Sequence, residues 1–404
     1  MRNKIYYIPV ENNEILSSNL IWRYIKERKI IFVYKKSNDF KRLANTIDID
    51  EPGIILKSSG SIHKSKYCIH PISNLNKSAE STGIWLNEQG LNLNDCFIFN
   101  TLPLNHISGF MPLWRSKVWK SKYINISPNL IKRTKDLIDL SIMLNNIHKR
   151  TLITSLVPTQ LYRLLRDKDG LEWLKMFDVI WVGGGKLSDN LSEISQRKKI
   201  KLAPCYGATE TAAMVSSLKP YEFLNGYKNN GRILKDIKLK INKEGIIEVK
   251  SERIGYELNS LSEVKNFTEK NGWWKSGDYG KLITINKHQY LKVIGRKDNA
   301  FESGGEIVFP DLIKSRINEF IYDKQIPIED LIISKIEDQI WGNRFEIIII
   351  FNNNINQKEI SKYINLLDKL SKNWPNHERP KNWRITKDKS KFKSLIKNNW
   401  KNYI

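Results

Sequence analysis

The chain has 404 residues, of which 40% are hydrophobic, and it contains 12 Trp, 16 Tyr and 14 Phe. This composition excludes a disordered protein, because so many apolar side chains can form cores, and the length allows two or three domains. The formal net charge of +24 favours anionic ligands, but the Lys residues are scattered among Asn and Ile along the whole chain, so no specific nucleic-acid site is indicated.

Three cysteines, Cys68, Cys96 and Cys205, lie far apart and lack metal-ligand spacing. The sequence therefore predicts neither disulfide bonds nor a zinc site. The N-terminus has no apolar signal core, and no apolar run is long enough to span a bilayer. We expect a cytoplasmic protein without a transmembrane segment.

Apolar runs alternate with segments of helical period over most of the chain. The sequence predicts strands at 30–34, 95–100, 151–157 and 177–185, and helices at 137–150 and 158–177. This alternation indicates the α/β class, with a large layered α/β N-terminal domain over residues 1–297. From residue 298 to 404 a strand pair around Trp341–Asn343 and a helix at 357–374 predict a small α+β C-terminal domain.

The first polar segment is a Ser/Gly loop at residues 58–66, directly after an apolar strand. Hydroxyl and backbone N–H groups in such a loop can donate to phosphate oxygens, and Lys can neutralise their charge. The candidates are Ser58, Ser59, Gly60, Ser61, Lys64 and Lys66. The spacing of a P-loop is missing, so a plain polar turn is the alternative.

Two further candidate groups follow apolar segments. His106, with Ser108 and Gly109, lies in apolar surroundings, where it is either a satisfied core histidine or part of a pocket. Gly183–Gly185 follow a predicted strand and precede a Ser/Asp helix start. These glycines would let a flat nucleobase lie against the backbone, or they form a tight strand-to-helix turn.

The segment Tyr206–Glu210, with sequence YGATE, combines an aromatic ring, a glycine, a hydroxyl and a carboxylate. Tyr206 beside Gly207 could stack on a base, Thr209 could donate to a phosphate, and Glu210 could hold a magnesium ion. The alternative is that Thr209 and Glu210 start a helix.

Two later segments carry ligand-binding residue types. Asp278 is predicted in a glycine-bounded turn, where its carboxylate could accept from both hydroxyls of a ribose. Arg296 and Asp298 follow a predicted strand at the domain boundary. The next segment consists of Ser303, Gly304, Gly305 and Glu306. It is either a loop whose backbone a ligand could approach closely or an ordinary surface hairpin.

Six of these segments, taken in order, resemble the motifs of the adenylate-forming superfamily of acyl-CoA synthetases, nonribosomal peptide adenylation domains and luciferases. They are SSGSIHKSK, LNHISG, GGGKLS, YGATE, WWKSGDYG and GRKDNAFESGGEIVFP. Each segment is common by chance, whereas six in this order are not. The resemblance implies an enzyme that uses ATP, Mg2+ and coenzyme A, with a mobile C-terminal domain.

The resemblance also implies a role for each matching residue. It assigns the Ser/Gly loop to the phosphates, Gly183, Gly184, Gly185, Tyr206 and Gly207 to the adenine side, Thr209 and Glu210 to ATP and the metal, His106 to catalysis, and Ser108 and Gly109 to the acyl pocket. It assigns Asp278 and Arg296 to the ribose, Asp298 to a hinge, Ser303–Glu306 to the coenzyme A step, and Lys391 to the acyl carboxylate and α-phosphate.

Within the superfamily, SLVPTQLYRLL, LPLNHISGFMPLWRS and YGATETAAMVS most resemble the o-succinylbenzoate–CoA ligases of menaquinone and phylloquinone synthesis. Their aryl carboxylate substrate predicts an apolar pocket with one cationic or amide group for the second carboxylate, which the sequence does not identify. The alternatives are a synthetase for another aryl or fatty acid, and a non-catalytic nucleotide- or nucleic-acid-binding homologue. A homodimer is compatible with the sequence.

Several positions depart from the superfamily pattern. They are His63, Ser65, Ser390, Ser394 and Lys314. Because Glu210, Asp278 and Lys391 are retained, we favour a working enzyme over an inactive homologue.

Overall fold

The computed structural model describes residues 3–10, 14–35, 46–58, 66–148, 150–259, 263–352, 355–386 and 388. The chain divides into two compact units: unit 1 comprises residues 1–276 and 280–294, and unit 2 comprises residues 277–279 and 295–404. The sequence predicts the domain boundary after residue 297. Among the helices of the described residues, none is both long and apolar enough to cross a membrane.

Eighteen strands and eight helices precede the last boundary between the units. The strands are β1 (Asn3–Pro9), β2 (Ile30–Tyr34), β3 (Thr46–Ile47), β4 (Gly53–Lys57), β5 (Tyr67–Pro71), β6 (Cys96–Asn100), β7 (Lys122–Asn125), β8 (Thr151–Leu156), β9 (Val179–Val182), β10 (Leu202–Ala208), β11 (Ala213–Ser217), β12 (Arg232–Ile233), β13 (Lys238–Ile241), β14 (Ile246–Lys250), β15 (Tyr256–Leu258), β16 (Val264–Asn266), β17 (Trp274–Ile285) and β18 (His288–Arg296), as counted in the described residues. The helices of the same described part are α1 (Glu14–Lys26), α2 (Ile72–Asn87), α3 (Ile107–Trp119), α4 (Thr134–His148), α5 (Pro158–Leu164), α6 (Lys168–Lys175), α7 (Asp189–Arg197) and α8 (Pro220–Leu224).

Unit 1 contains three sheets. The first has the order β16-β15-β5-β4-β2-β1-β3, and the second has the order β12-β11-β10-β9-β8-β6-β7. In the second sheet the five strands from β7 to β10 are parallel, whereas β11 and β12 are antiparallel to their neighbours. The third sheet has the order β13-β14-β17-β18.

The second sheet is covered on both faces, which explains its continuously apolar strands. In β6 the side chains of Phe97 and Phe99 belong to one core, whereas those of Cys96 and Ile98 belong to the core on the other face. Trp173 of α6 is fully buried in the first of these cores. Burial of one such large side chain contributes roughly 1.5–3 kcal/mol.

Unit 2 is a smaller α+β body. Its elements are β19 (Phe301–Ser303), β20 (Glu306–Val308), α9 (Pro310–Asp323), β21 (Ile328–Asp338), β22 (Gly342–Phe351), α10 (Gln357–Ser371) and β23 (Asn382–Ile385). The predicted strand pair is a long antiparallel hairpin of β21 and β22, and β23 lies parallel to β22. The helices α9 and α10 pack Ile313, Ile317 and Leu367 against this sheet.

Two predictions about the helices are wrong. The helix predicted at 158–177 is two helices, because the Asp167 carboxylate accepts from the Gly170 N–H (2.8 Å) and starts α6. The helical period of residues 137–150 predicts an apolar face that consists of Leu137, Leu140, Met143, Leu144 and Ile147. Met143, however, is 54% exposed in α4. Ser141 is buried instead, because its hydroxyl accepts a hydrogen bond from the indole N–H of Trp173 (2.8 Å).

Candidate active site

Three of the candidate groups of unit 1 lie at the carboxyl end of a block of four adjacent parallel strands. The strands β6, β8, β9 and β10 are neighbours in the second sheet, so their carboxyl ends share one edge. His106 comes after β6, Gly183–Gly185 come directly after β9, and Tyr206–Glu210 lie at the end of β10. Ligands bind at this edge of open α/β sheets. The fold therefore brings together three motifs, of which the first and the last are about 100 residues apart in sequence.

The residues Thr209–Ala212 form a turn between β10 and β11, which we call the signature turn. The helix start considered for Thr209 and Glu210 is therefore wrong, because β11 returns antiparallel to β10. Gly207 faces the Ala213 carbonyl so closely that a Cβ would lie 2.1 Å from its oxygen. A larger residue at this position cannot form the β10–β11 pair as it stands.

His106 precedes the first residue of α3 and is exposed, which makes the core-histidine interpretation wrong. The surrounding protein still displaces part of the water around its ring. This desolvation is the main cause that lowers its pKa, and the positive charges of Lys57 and Lys35 contribute in the same direction. The neutral form is thus favoured. Ser108 is exposed and Gly109 is buried in the first turn of the same helix.

Only the ends of the Ser/Gly loop belong to the described residues. The Ser58 N–H donates to the Lys66 carbonyl (2.8 Å), which brings these ends together. The Lys66 ammonium pairs with the Glu257 carboxylate of β15 (3.1 Å) and remains 46% exposed. The predicted phosphate ligands Ser59, Gly60, Ser61 and Lys64 lie outside the described residues, as do the departures His63 and Ser65.

Unit 2 brings Asp278, Arg296 and Asp298 together. The guanidinium Nε of Arg296 lies 3.8 Å from Asp278 Oδ1, and its Nη2 lies 3.7 Å from Asp298 Oδ2. Asp278 is within β17, so the predicted turn is wrong, although Gly277 before it has φ +74° and interrupts the regular strand. Arg296 is thus held between two carboxylates that the sequence separates by 20 residues.

The Ser303–Glu306 loop is the turn of the β19–β20 hairpin. Gly304 and Gly305 both have positive φ, +59° and +82°, which favours glycine. The ring of Trp341 packs on Gly304, where a Cβ would lie 2.4 Å from it, and the Gly304 N–H donates to the Trp341 carbonyl (2.9 Å). Ser303 is buried, whereas the other three residues are exposed.

The predicted lysine of the C-terminus, Lys391, lies outside the described residues, together with Ser390 and Ser394. The last departure, Lys314, has a structural explanation. Its ammonium donates to the Leu331 carbonyl (2.8 Å) and so connects α9 to β21.

Sequence reasoning missed Arg115, which lies in α3 nine positions after His106. Its side chain is 3% exposed, and its Nε and Nη2 have no hydrogen-bond partner among the described residues. The guanidinium lies over the ring of Trp181 of β9, 5.0 Å from the centroid. A charged residue on the otherwise apolar face of α3 is the sequence signal that could have identified it.

Burial, opposed by Cys205 and reinforced by the charge of Arg253, lowers the pKa of Arg115 to about 9. Cys205 and Trp181 are on β10 and β9, just before Tyr206 and Gly183. A buried cation without a carboxylate partner is costly. Arg115 therefore brings an uncompensated positive charge next to β9 and β10.

The sequence also did not single out His70 of β5, which is fully buried beneath the signature turn. Its Nε2 lies 2.7 Å from the Thr209 carbonyl, and this geometry requires the tautomer that donates from Nε2. Burial lowers the pKa of His70 to about 4. A polar residue inside an apolar strand is the signal that could have identified it.

The surroundings of Glu210 fit a magnesium ion that takes most of its coordinating atoms from a bound substrate and from water. No group of three or more His, Cys, Asp or Glu that could hold a metal occurs in the part of the chain that the structure describes. Glu210 offers one half-buried carboxylate at the signature turn. Mg2+ commonly takes one or two carboxylates and completes its octahedron with substrate phosphates and water. A protein cage is therefore unnecessary.

Comparisons with known proteins identify the family of the chain. The family model of AMP-binding enzymes matches residues 11–255. A 2-succinylbenzoate–CoA ligase of Listeria monocytogenes is 28% identical over 351 residues, which cover 83% of this chain and 70% of that protein. A protein of the same name from Geobacillus sp. is 26% identical over 302 residues, which cover 72% of this chain and 57% of that protein.

Solved structures share the fold. The o-succinylbenzoate CoA synthetase from Bacillus subtilis, in complex with its acyl-adenylate intermediate, has a TM-score of 0.67 at 20% identity, with 96% of this chain and 85% of that chain covered. An anthranilate CoA ligase in complex with anthranoyl-AMP has a TM-score of 0.61 at 17% identity, with 95% and 74% covered.

Proposed function

The chain belongs to the family of AMP-binding enzymes, and from this we propose that it is an acid–CoA ligase for o-succinylbenzoate. It would convert o-succinylbenzoate, ATP and coenzyme A to o-succinylbenzoyl-CoA, AMP and pyrophosphate, in menaquinone or phylloquinone biosynthesis. The relatives named 2-succinylbenzoate–CoA ligase support this substrate. A cytoplasmic location and a homodimer stay predictions, and light scattering during size-exclusion chromatography tests the second.

In the first half-reaction one carboxylate of the acid attacks the α-phosphate of ATP and pyrophosphate leaves. Thr209 would donate to a phosphate, Glu210 would hold the magnesium ion, and Tyr206 would stack on the adenine. The ion, when bound, neutralises charge that develops on the phosphates. Lys391 would bridge the acyl carboxylate and the α-phosphate and stabilise the transition state in the same way.

The nucleoside has its own set of groups in this proposal. Asp278 would accept from the ribose hydroxyls, and Arg296 would contribute to the same contact. The ion-pair distances of 3.7–3.8 Å support this role, because they exceed a hydrogen-bond length and leave the Arg296 donors available to a ligand.

In the second half-reaction the thiol of coenzyme A attacks the acyl carbonyl of the adenylate and AMP leaves. The exposed backbone of Gly305 would lie along the incoming thiol arm, since none of the described residues comes within 4 Å of its Cβ position. Asp298 would act as the hinge between the two half-reactions. His106, favoured in its neutral form, would line the path to the carbonyl.

The buried, unpartnered Arg115 is the observation that carries the substrate proposal. o-Succinylbenzoate has two carboxylates, and only one of them is activated. The other must be desolvated in the acyl pocket, which is costly unless a cation pairs with it. Arg115 supplies that cation beside Trp181, whose ring suits an aromatic acid. A fatty acid or benzoate would leave the guanidinium unpaired.

Turnover assays with ATP and coenzyme A test the proposal. We expect the highest kcat/KM with o-succinylbenzoate, and lower values with benzoate, coumarate and fatty acids. A preference for one of the monocarboxylates would instead indicate a synthetase for another acid. Absence of any thioester, together with salt-sensitive binding to DNA, would support a non-catalytic nucleic-acid-binding homologue.

A further inference from the structure

The backbone of the signature turn has a conformation that its sequence does not favour. Ala212 and Ala213 have φ values of +50° and +83°. Residues with a side chain adopt positive φ rarely, and they keep it only where the surrounding structure enforces it. Thr209 and Glu210 belong to the same turn, so their position depends on whatever enforces this backbone.

Four buried donors from other segments bind three carbonyl groups of the signature turn and that of Met214, which follows it in β11. His70 Nε2 donates to Thr209 (2.7 Å), and the Gly255 N–H donates to Glu210 (2.8 Å). The Ser78 hydroxyl donates to Ala212, and Arg253 Nη2 donates to Met214. The side chains of His70, Ser78 and Arg253 are each fully buried. We call these four donors the carbonyl clamp.

The clamp residues also bind one another, and Arg253 has a further partner outside the signature turn. Arg253 Nη1 donates to the Ser78 hydroxyl (2.7 Å), and Arg253 Nε lies 2.9 Å from the Asp236 carboxylate. Gly255 packs against the His70 ring, where a Cβ would lie 2.7 Å from Cε1. These contacts join β5, α2 and the segment after β14 into one support.

Fold stability alone does not require such an arrangement. An unstrained turn could join β10 to β11 with its carbonyl groups exposed to water, as surface hairpins do. Here the carbonyl groups point into the protein, and buried donors satisfy them. The backbone that carries Thr209 and Glu210 is thereby fixed at the end of β10.

We propose that the carbonyl clamp fixes the signature turn for the ATP half-reaction, with His70, Ser78 and Arg253 as positioning residues. None of them touches substrate. Each acts through the backbone of Thr209–Met214, so its loss displaces the groups assigned to the phosphates and the metal. The inference rests on the proposed function, because it needs ATP as the substrate at this turn.

Ser78→Ala and Ser141→Ala provide a matched test. Both serines are fully buried in helices, both donate to a backbone carbonyl, and each accepts one hydrogen bond, from Arg253 or from Trp173. Only Ser78 touches the turn. ATP–pyrophosphate exchange should fall about tenfold or more in Ser78→Ala, since small displacements of catalytic groups have effects of this size. The magnesium concentration for half-maximal rate should rise, and Ser141→Ala should match the parent protein in both measurements.

A second pair of variants keeps the test decisive if Ser78→Ala does not fold. His70→Leu removes the donor to Thr209, whereas His70→Gln can retain it. We expect His70→Leu to lose exchange activity and His70→Gln to recover most of it. Thioester formation from supplied acyl-adenylate should change less than about threefold, because pyrophosphate and the metal have left by then.

Equal loss in both half-reactions, or equal effects of Ser78→Ala and Ser141→Ala, would overturn the inference while leaving the proposed function intact. Failure of the parent protein to form any adenylate would instead refute the proposed function. The two failures are therefore distinguishable.

Discussion

Arg115 and Arg253 are two buried arginines that differ in their partners. Arg253 pairs with Asp236 and donates to Ser78 and Met214, whereas Arg115 faces Trp181. A buried charge without a partner lowers the free energy of unfolding. Removing one member of a buried pair also lowers it, because the other member is left uncompensated. The two residues should therefore respond to the same substitution in opposite ways.

Arg115→Leu should lower kcat/KM for o-succinylbenzoate by about 30-fold or more, since loss of one partner of a buried charge pair typically costs about 2–5 kcal/mol. Its kcat/KM for benzoate should not fall. Steady-state kinetics with both acids measure the ratio. An unchanged ratio would remove Arg115 from the acyl pocket.

The free energy of unfolding supplies the matched control. Without substrate, Arg115→Leu should be as stable as the parent protein or more stable, because it removes an uncompensated charge. Arg253→Leu should lose roughly 3–5 kcal/mol, because it leaves Asp236 without its cationic partner and leaves the Met214 carbonyl and the Ser78 hydroxyl without their donor. Urea denaturation of both variants checks this contrast.

His70 makes stability depend on pH. Burial, followed by the charge of Arg253, lowers its pKa from 6.5 to about 4, although the Thr209 carbonyl raises it. The unfolded chain then binds the proton more tightly, so the stabilisation is complete above pH 6.5 and is lost as pH falls towards 4. The loss is on the order of 3 kcal/mol. Urea unfolding at several pH values measures this effect in the parent and in His70→Gln, whose side chain cannot titrate. Over this range the slopes of the free energy of unfolding against pH should differ by up to the value for one bound proton. Parallel pH profiles would contradict the assignment.

The helix α6 depends on Asp167, the residue that precedes its first turn. The Asp167 carboxylate accepts from the Gly170 N–H, and hydrogen bonds from Thr134 and Gly170 lower its pKa. Asp167→Ala should therefore reduce the free energy of unfolding by about 1 kcal/mol, and Asp167→Asn should restore most of it. Chemical denaturation at pH 7 measures both. Equal stability of Asp167→Ala and the parent would show that packing of Trp173 alone holds this helix.

Elements with a simple pattern could be predicted from sequence, and those that depend on partners could not. The apolar runs of β6, β8 and β9 and the stripe of α10 need only burial to form, so their period is sufficient. The break before α6 depends on one carboxylate, and the buried face of α4 depends on Trp173 reaching Ser141. The bond between Trp173 and Ser141 joins residues 32 positions apart and leaves no local signal. The Asp167 helix start is local, but the apolar period, which continues across it, does not reveal it.

The same distinction applies to the site. Ordered motifs located the strand ends, because residue types with ligand chemistry cluster there. Arg115 and His70 were missed because their meaning depends on what surrounds them in space: a missing carboxylate in one case and the Thr209 carbonyl in the other. A single sequence does not contain that information.

For the whole molecule, the proposed mechanism assigns the two half-reactions to different residues. Lys391→Ala should abolish adenylate formation, because the lysine neutralises charge on the α-phosphate. Thioester formation from supplied acyl-adenylate should continue almost unchanged. Pyrophosphate exchange and single-turnover thioester assays measure the two steps separately. Lys393→Ala, which removes a neighbouring lysine, is the control and should be active in both; equal loss of both steps in Lys391→Ala would contradict the assignment.

The signature turn leads into a strand instead of a helix, and this has an electrostatic consequence. A phosphate at a helix N-terminus benefits from a dipole equivalent to roughly half a positive charge. The amides of Thr209 and Glu210 belong to no helix, so a phosphate beside them gains no such attraction and meets the negative Glu210 instead. Under the proposed function, repulsion between these two anions makes nucleotide affinity conditional on a cation. The free magnesium of the cell, as much as its energy charge, would then govern how fast this protein works.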